Sequence, residues 1–217
     1  MKPEVRSMLD KMYELFLAKF GDAVKAWDRF LELLAADHNA LYVQEFDHKF
    51  EWLLKDSKFG EKLMKIYDPK LLRSDYHDHL GDMYIDIFPK DWGKRGLDPE
   101  TNKLEDYTEL LGKEKKSKEL RILDMAARTG RLLMLAYQRF PKAILFGVEK
   151  NKRLYRIALT NFAIFDIPGY LINANSETDE IDLKSKNGRD NWENANLWNP
   201  PTGKLKRSSS GPIDSKK

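Results

Sequence analysis

Four short stretches carry residue types suited to holding a nucleotide-like ligand. The first is Asp124-Met125-Ala126-Ala127-Arg128-Thr129-Gly130. An apolar run ending in an acid precedes it and a helical pattern follows. A loop there brings backbone close to a ligand and sets a helix N-terminus beneath it. The second is Glu149, 19 residues beyond Gly130 and at the end of the next apolar run. A carboxylate at that place suits a ribose diol, which needs acceptors. The third is Asn173-Ala174-Asn175-Ser176, and the fourth is Asn196-Leu197-Trp198-Asn199-Pro200-Pro201.

These stretches need a scaffold that gathers them, and the hydrophobic pattern predicts one. Leu120–Asp124, Ala143–Glu149, Tyr170–Ala174 and Asn194–Asn199 read as strands. Arg131–Phe140 and Lys152–Phe165 read as helices between them. Strands alternating with helices of this length predict an α/β fold of βαβ units with a parallel sheet. Such a sheet binds ligands beyond the C-terminal ends of its strands.

Residues 1–88 predict a helical N-terminal domain. Val24, Trp27, Leu31 and Leu34 fall on one helical face, and Leu41–Lys55 repeats the pattern. Asp68-Pro69 reads as an N-cap with a first-turn proline. A further helix is expected from Ser74, as N-cap, to Phe88, stopped by Pro89. Residues 89–119 read as a connector with one short helix near 104–111, residues 120–201 as a Rossmann-like domain, and residues 202–217 as a basic disordered tail.

Taken together, the four stretches resemble the N6-adenine DNA methyltransferases that depend on S-adenosylmethionine (SAM), especially the modification subunits of type I restriction systems. That family carries an Asp-Pro-Ala-Cys-Gly-Thr-Gly loop, an acid after strand two, Ala-Asp-Ser after strand three and Asn-Pro-Pro-Tyr/Phe at strand four. Arg153–Ile167 is similar to its second helix, and His79–Tyr84 to the helix before its cofactor domain. The resemblance covers about residues 74–201. It implies SAM as cofactor, with Asp124, Ala126, Thr129, Gly130, Glu149 and Asn175 lining its site. It also implies that Asn199, Pro200 and Pro201 act on the target amine: the Asn side-chain oxygen and the first Pro carbonyl accept its hydrogens, orienting a weak nucleophile for in-line methyl transfer.

The sequence departs from the family at Met125 for proline, Ala127 for cysteine, Arg128 for the first glycine of Gly-x-Gly, Asn175 for an acid and Thr202 for the base-stacking aromatic. Arg128 reads either as a cation closing the loop or as an anion contact. The sixteen residues after Pro201 are mostly polar and show no strand pattern, so the expected sheet is truncated, in order 3-2-1-4. Its strand-four edge is expected to be covered by a second chain or another copy. Three functions stay open: a methylase of adenine N6 with DNA as partner, an inactive or partner-dependent binding protein, and a protein glutamine methyltransferase.

Composition narrows the rest. The chain has 217 residues, 41% hydrophobic and 12% aromatic, enough for a core. It holds no cysteine, which excludes disulfides, thiolate catalysis and cysteine zinc sites. No stretch approaches the ~20 apolar residues of a membrane span. No leader pattern is evident, so the expected address is the cytoplasm. The net charge is +3, and its excess sits in the tail, where the five cations Lys204, Lys206, Arg207, Lys216 and Lys217 against the one anion Asp214 give +4 and leave −1 for the rest. Asp75 and His79, at i and i+4, could share a cation; helix-surface polarity is the simpler reading, and no metal is expected. His38 is expected on the surface.

Overall fold

The computed structural model describes residues 2–38, 56–90 and 120–176, and the backbone of 196–198. The expected helix Leu41–Lys55, most of the connector, the residues Asn199, Pro200 and Pro201, and the basic tail lie outside the described residues.

Helix α1 (Pro3–Phe20) starts with a first-turn proline and ends at Gly21, whose φ of +68° closes the turn. Asp22 then caps α2 (Ala23–Asp37) by accepting from the Lys25 N–H. The two helices pack as a hairpin through Phe16, Trp27 and Phe30, all fully buried. Helix α3 (Ser57–Met64) follows, capped by Asp56. As expected, Asp68 caps α4 (Pro69–Arg73), accepting from the N–H groups of Lys70 and Leu71.

Helix α5 (His79–Ile87) starts later than expected. Its N-cap is Asp78, not Ser74. Ser74 instead closes α4, donating its hydroxyl to the Leu71 carbonyl. The Asp78 carboxylate reaches the Gly81 N–H, a strong charged cap, and displaces the start to that point.

In the α/β half, β1 (Arg121–Asp124), α6 (Arg131–Arg139), β2 (Ile144–Val148), α7 (Lys152–Ile164) and β3 (Gly169–Ile172) alternate as the pattern predicts. Strands β1, β2 and β3 are parallel neighbours, with Asp124 level with Gly147 and Val148 level with Ile172. Helix α7 is buried on nearly every side, because α2 packs against it and β3 lies beneath it. One hydrophobic cluster runs from Leu9 and Trp27 in the helical part to Leu145 and Phe162 in the α/β part.

The expected order 3-2-1-4 is not what the chain adopts. Strand β4 (Asn196–Trp198) pairs with β3, antiparallel, giving the order 1-2-3-4. A parallel strand needs a crossover, usually a helix packed on the sheet. Between Asn175 and Asn196 the sequence offers Ile181, Leu183 and Trp192 as its only large apolar residues. That sequence pattern predicts no crossover helix, and an antiparallel pairing does not require one. Among the described residues β1 is therefore an edge strand, and Leu123 is 53% exposed. No described helix is long and apolar enough to cross a membrane.

Candidate cofactor site

The C-terminal ends of β1, β2 and β3 bring together the first three of the four stretches. The β1–α6 loop folds back on the sheet edge, where the Ala127 N–H donates to the Val148 carbonyl at 2.9 Å. The Glu149 N–H continues the ladder to the Ile172 carbonyl. Asn173 returns across the same edge, donating its side-chain amide to the Glu149 carbonyl at 2.7 Å.

Asp124 ends β1 with its two carboxylate oxygens in different situations. One, Oδ1, accepts from the Ala126 N–H at 3.0 Å and tightens the turn. The other, Oδ2, is buried and without a partner among the described residues. Burial raises the carboxyl above its ordinary range, with the Ala126 hydrogen bond and the Arg128 charge pulling the other way. An orphaned buried acceptor at the mouth of a strand-end loop fits a ligand with a donor to give.

Arg128 sits at φ +52° and Gly130 at φ +81°. The glycine also has little room for a side chain, since a Cβ would lie 3.2 Å from Ala158 and Phe162 on α7. Glu149 holds the strained turn. Its Oε2 accepts from the Arg128 N–H at 2.9 Å and its Oε1 from the Asn151 N–H at 2.7 Å. Each carboxylate oxygen has a further lone pair, so Glu149, 7% exposed, can still accept from a ligand hydroxyl.

Thr129 faces away from that edge. It is 5% exposed, and its hydroxyl donates to Asp78 Oδ2 at 2.6 Å. Asn175 is half-buried beyond β3. Of the fourth stretch, only Asn196–Trp198 is described: it runs antiparallel along β3 from Leu171 back to Gly169, so that Trp198 lies at the opposite end of the sheet from Glu149.

Behind the loop lies a polar hub that the sequence reading missed. Asp78 is 2% exposed. It accepts from Gly81 N, Thr129 Oγ1, Arg131 Nε and Asn161 Nδ2. Asp82 takes the other side of the Arg131 guanidinium and also meets His77. The available signals were an Asp three residues before a glycine, and an asparagine among the apolar residues Ile157, Ala158, Leu159 and Phe162 of α7. His79 is 1% exposed, and its ring lies 5.1 Å from that of His77, which precedes the helix rather than sharing its surface. Among the described residues no group of three or more His, Asp or Glu side chains is placed to hold a metal ion. His38, expected on the surface, is 4% exposed and bonded to Tyr67 and Arg73.

No protein-family model matches the chain, and no curated protein matches it. A solved structure from Listeria monocytogenes, provisionally assigned as a class I SAM-dependent methyltransferase, matches with a TM-score of 0.58 at 16% identity. The match covers 82% of this chain and 55% of that one, so this chain spans about half the neighbour's length. The chain therefore has a methyltransferase-like α/β fold.

Proposed function

We propose that this chain binds SAM at the C-terminal edge of β1–β3 and belongs functionally with the methyltransferases that act on exocyclic amino groups, adenine N6 in DNA being the first substrate to test. The observation that carries the reading is Asp124 Oδ2, a buried acceptor with no partner among the described residues, at the same strand-end edge as Glu149 and the β1–α6 loop that Glu149 holds. The fold likeness supports it, as does the order of the sequence stretches. Asp124 would accept from a donor on the ligand, and Glu149 would accept from a ribose hydroxyl while it holds the loop. Ala126, Gly130 and Asn175 would border the same edge. When bound, SAM supplies an electrophilic methyl group. In this reading Asn199, Pro200 and Pro201 would hold the target amine, DNA would be the macromolecular partner, and a glutamine amide is the alternative planar nitrogen.

A second reading, an inactive or partner-dependent binding protein, is favoured by the position of β4. Its last residue, Trp198, lies opposite Gly169 rather than at the cofactor edge. A second chain covering an exposed strand edge would then complete the site.

Isothermal titration calorimetry of the full chain with SAM, repeated on Arg128→Gly, tests the proposal. Micromolar binding supports it, and transfer of labelled methyl from SAM to DNA is then the decisive assay. Binding only after Arg128→Gly means that the side chain closes the pocket and favours the second reading. No binding by either protein defeats the SAM assignment.

A further inference from the structure

Asp78 joins three elements that are far apart in sequence. It caps α5 through Gly81, meets α7 through Asn161, and meets the β1–α6 loop through Thr129 and the first residue of α6 through Arg131. All four bonds are between 2.6 and 2.9 Å. The Asn161 amide also donates to the Thr129 carbonyl at 2.9 Å, so both the side chain and the backbone of Thr129 are fixed. The loop needs such support. Arg128 and Gly130, on either side of Thr129, both have positive φ. A non-glycine residue in that region persists only where its surroundings hold it.

The bonds also set the direction of the loop. With the Thr129 hydroxyl turned inward to Asp78, the Arg128 N–H is turned outward to Glu149. Two carboxylates thus pull adjacent residues of the loop to opposite sides. We propose that Asp78, through Thr129 and Asn161, is the positioning residue that sets the backbone of the β1–α6 loop for ligand. Thr129 accordingly supports the site from behind instead of touching the ligand. This assignment of what the loop is set for rests on the SAM reading above; the bracing itself does not.

Hydrogen exchange of the amides from 121 to 131, measured on the full chain, tests the bracing without any ligand. The variants are Asp78→Asn, Thr129→Val and Thr129→Ser, with Phe59→Ala as a control that loosens the α1–α3 contact far from the loop. Asp78→Asn and Thr129→Val are expected to speed loop exchange at least tenfold relative to α1 and α2. Thr129→Ser keeps the hydroxyl and is expected to stay within about threefold of the natural protein. Unchanged loop exchange in Thr129→Val, or an equal rise in Phe59→Ala, overturns the proposal. If Asp78→Asn does not fold, the Val and Ser pair at position 129 decides alone. Where the natural protein binds SAM, Thr129→Val is expected to weaken binding at least tenfold and Thr129→Ser to restore it, and an unchanged affinity in Thr129→Val overturns the positioning role. Absence of SAM binding by the natural protein defeats the proposed function only, and the exchange experiment still decides the bracing.

Discussion

The Glu149 carboxylate accepts the backbone N–H of Arg128 at 2.9 Å, so an acid at the end of β2 restrains the one strained non-glycine residue of the β1–α6 loop. Its other oxygen takes the Asn151 N–H at the start of α7. Replacing Glu149 with Gln keeps the shape but leaves an amide NH2 facing one of the two donors. Hydrogen bonds to charged groups contribute about 1.5–3 kcal/mol. Glu149→Gln is expected to lower unfolding free energy by about 2 kcal/mol in urea titrations, with SAM binding lost. A stability change within experimental error would mean that the loop holds its shape without this carboxylate.

Arg128 at φ +52° pays for a left-handed conformation that glycine adopts freely. The left-handed region costs a non-glycine residue about 1–2 kcal/mol, and glycine returns part of that as unfolded-state entropy. Arg128→Gly is therefore expected to raise stability by about 0.5–1 kcal/mol, an unusual sign for a change to glycine. Differential scanning calorimetry would read this as a melting temperature a few degrees higher. A lower melting temperature would show that the guanidinium contributes more than the backbone strain costs.

Asp124 is buried enough for its carboxyl to be raised above the ordinary range by desolvation, with Ala126 and Arg128 opposing only in part. A raised folded-state value means that the unfolded chain gives up the proton first. The resulting penalty is absent below pH ~4 and grows as pH rises through the folded value. Asp124→Asn removes the penalty and keeps the Oδ1 bond to Ala126. It is expected to stabilise the protein on the order of 1 kcal/mol at pH 7, with the gain vanishing towards pH 3.5, while SAM binding falls. Equal stabilisation at both pH values would contradict a charge penalty as the cause.

His38 offers a second pH dependence, far from the cofactor edge. Its Nδ1 accepts from Arg73, its Nε2 lies 2.9 Å from the Tyr67 hydroxyl, and that hydroxyl donates to Asp37. Burial lowers the His38 value, and the Arg73 charge lowers it further. The neutral ring is the form that fits, because a proton on Nδ1 would face the guanidinium. Its contribution to stability is full above pH ~6.5 and is lost as pH falls from there through the lower folded value. Stability measured at pH 7.5 and 5.5 should fall in the natural protein and fall less in His38→Gln. The same slope in both would assign the loss to another group.

The α/β half was legible because its strands and helices announce themselves by period. Every strand and helix from β1 to β3 lies within about two residues of its sequence expectation. The strand-end residues Asp124 and Glu149 followed directly. The placement of β4 was not legible, because three residues carry no information about which neighbour they pair with or in which direction. The Asp78 hub was hidden for another reason. Its partners lie about 50 and 83 residues away in sequence, and an isolated Asp near a helix start reads as a surface cap until the fold buries it. Thr129 lies in the loop expected of it, and the turn of its hydroxyl to Asp78 was hidden for the same reason.

The hydrophobic cluster shared by Trp27 on α2 and Phe162 on α7 bears on how this chain can be engineered or recombined. The α/β half is not a cassette. Cutting it free near residue 120 would uncover the apolar flank of α7 and remove Asp78 in one stroke. The expected product is an aggregating fragment rather than a minimal α/β domain.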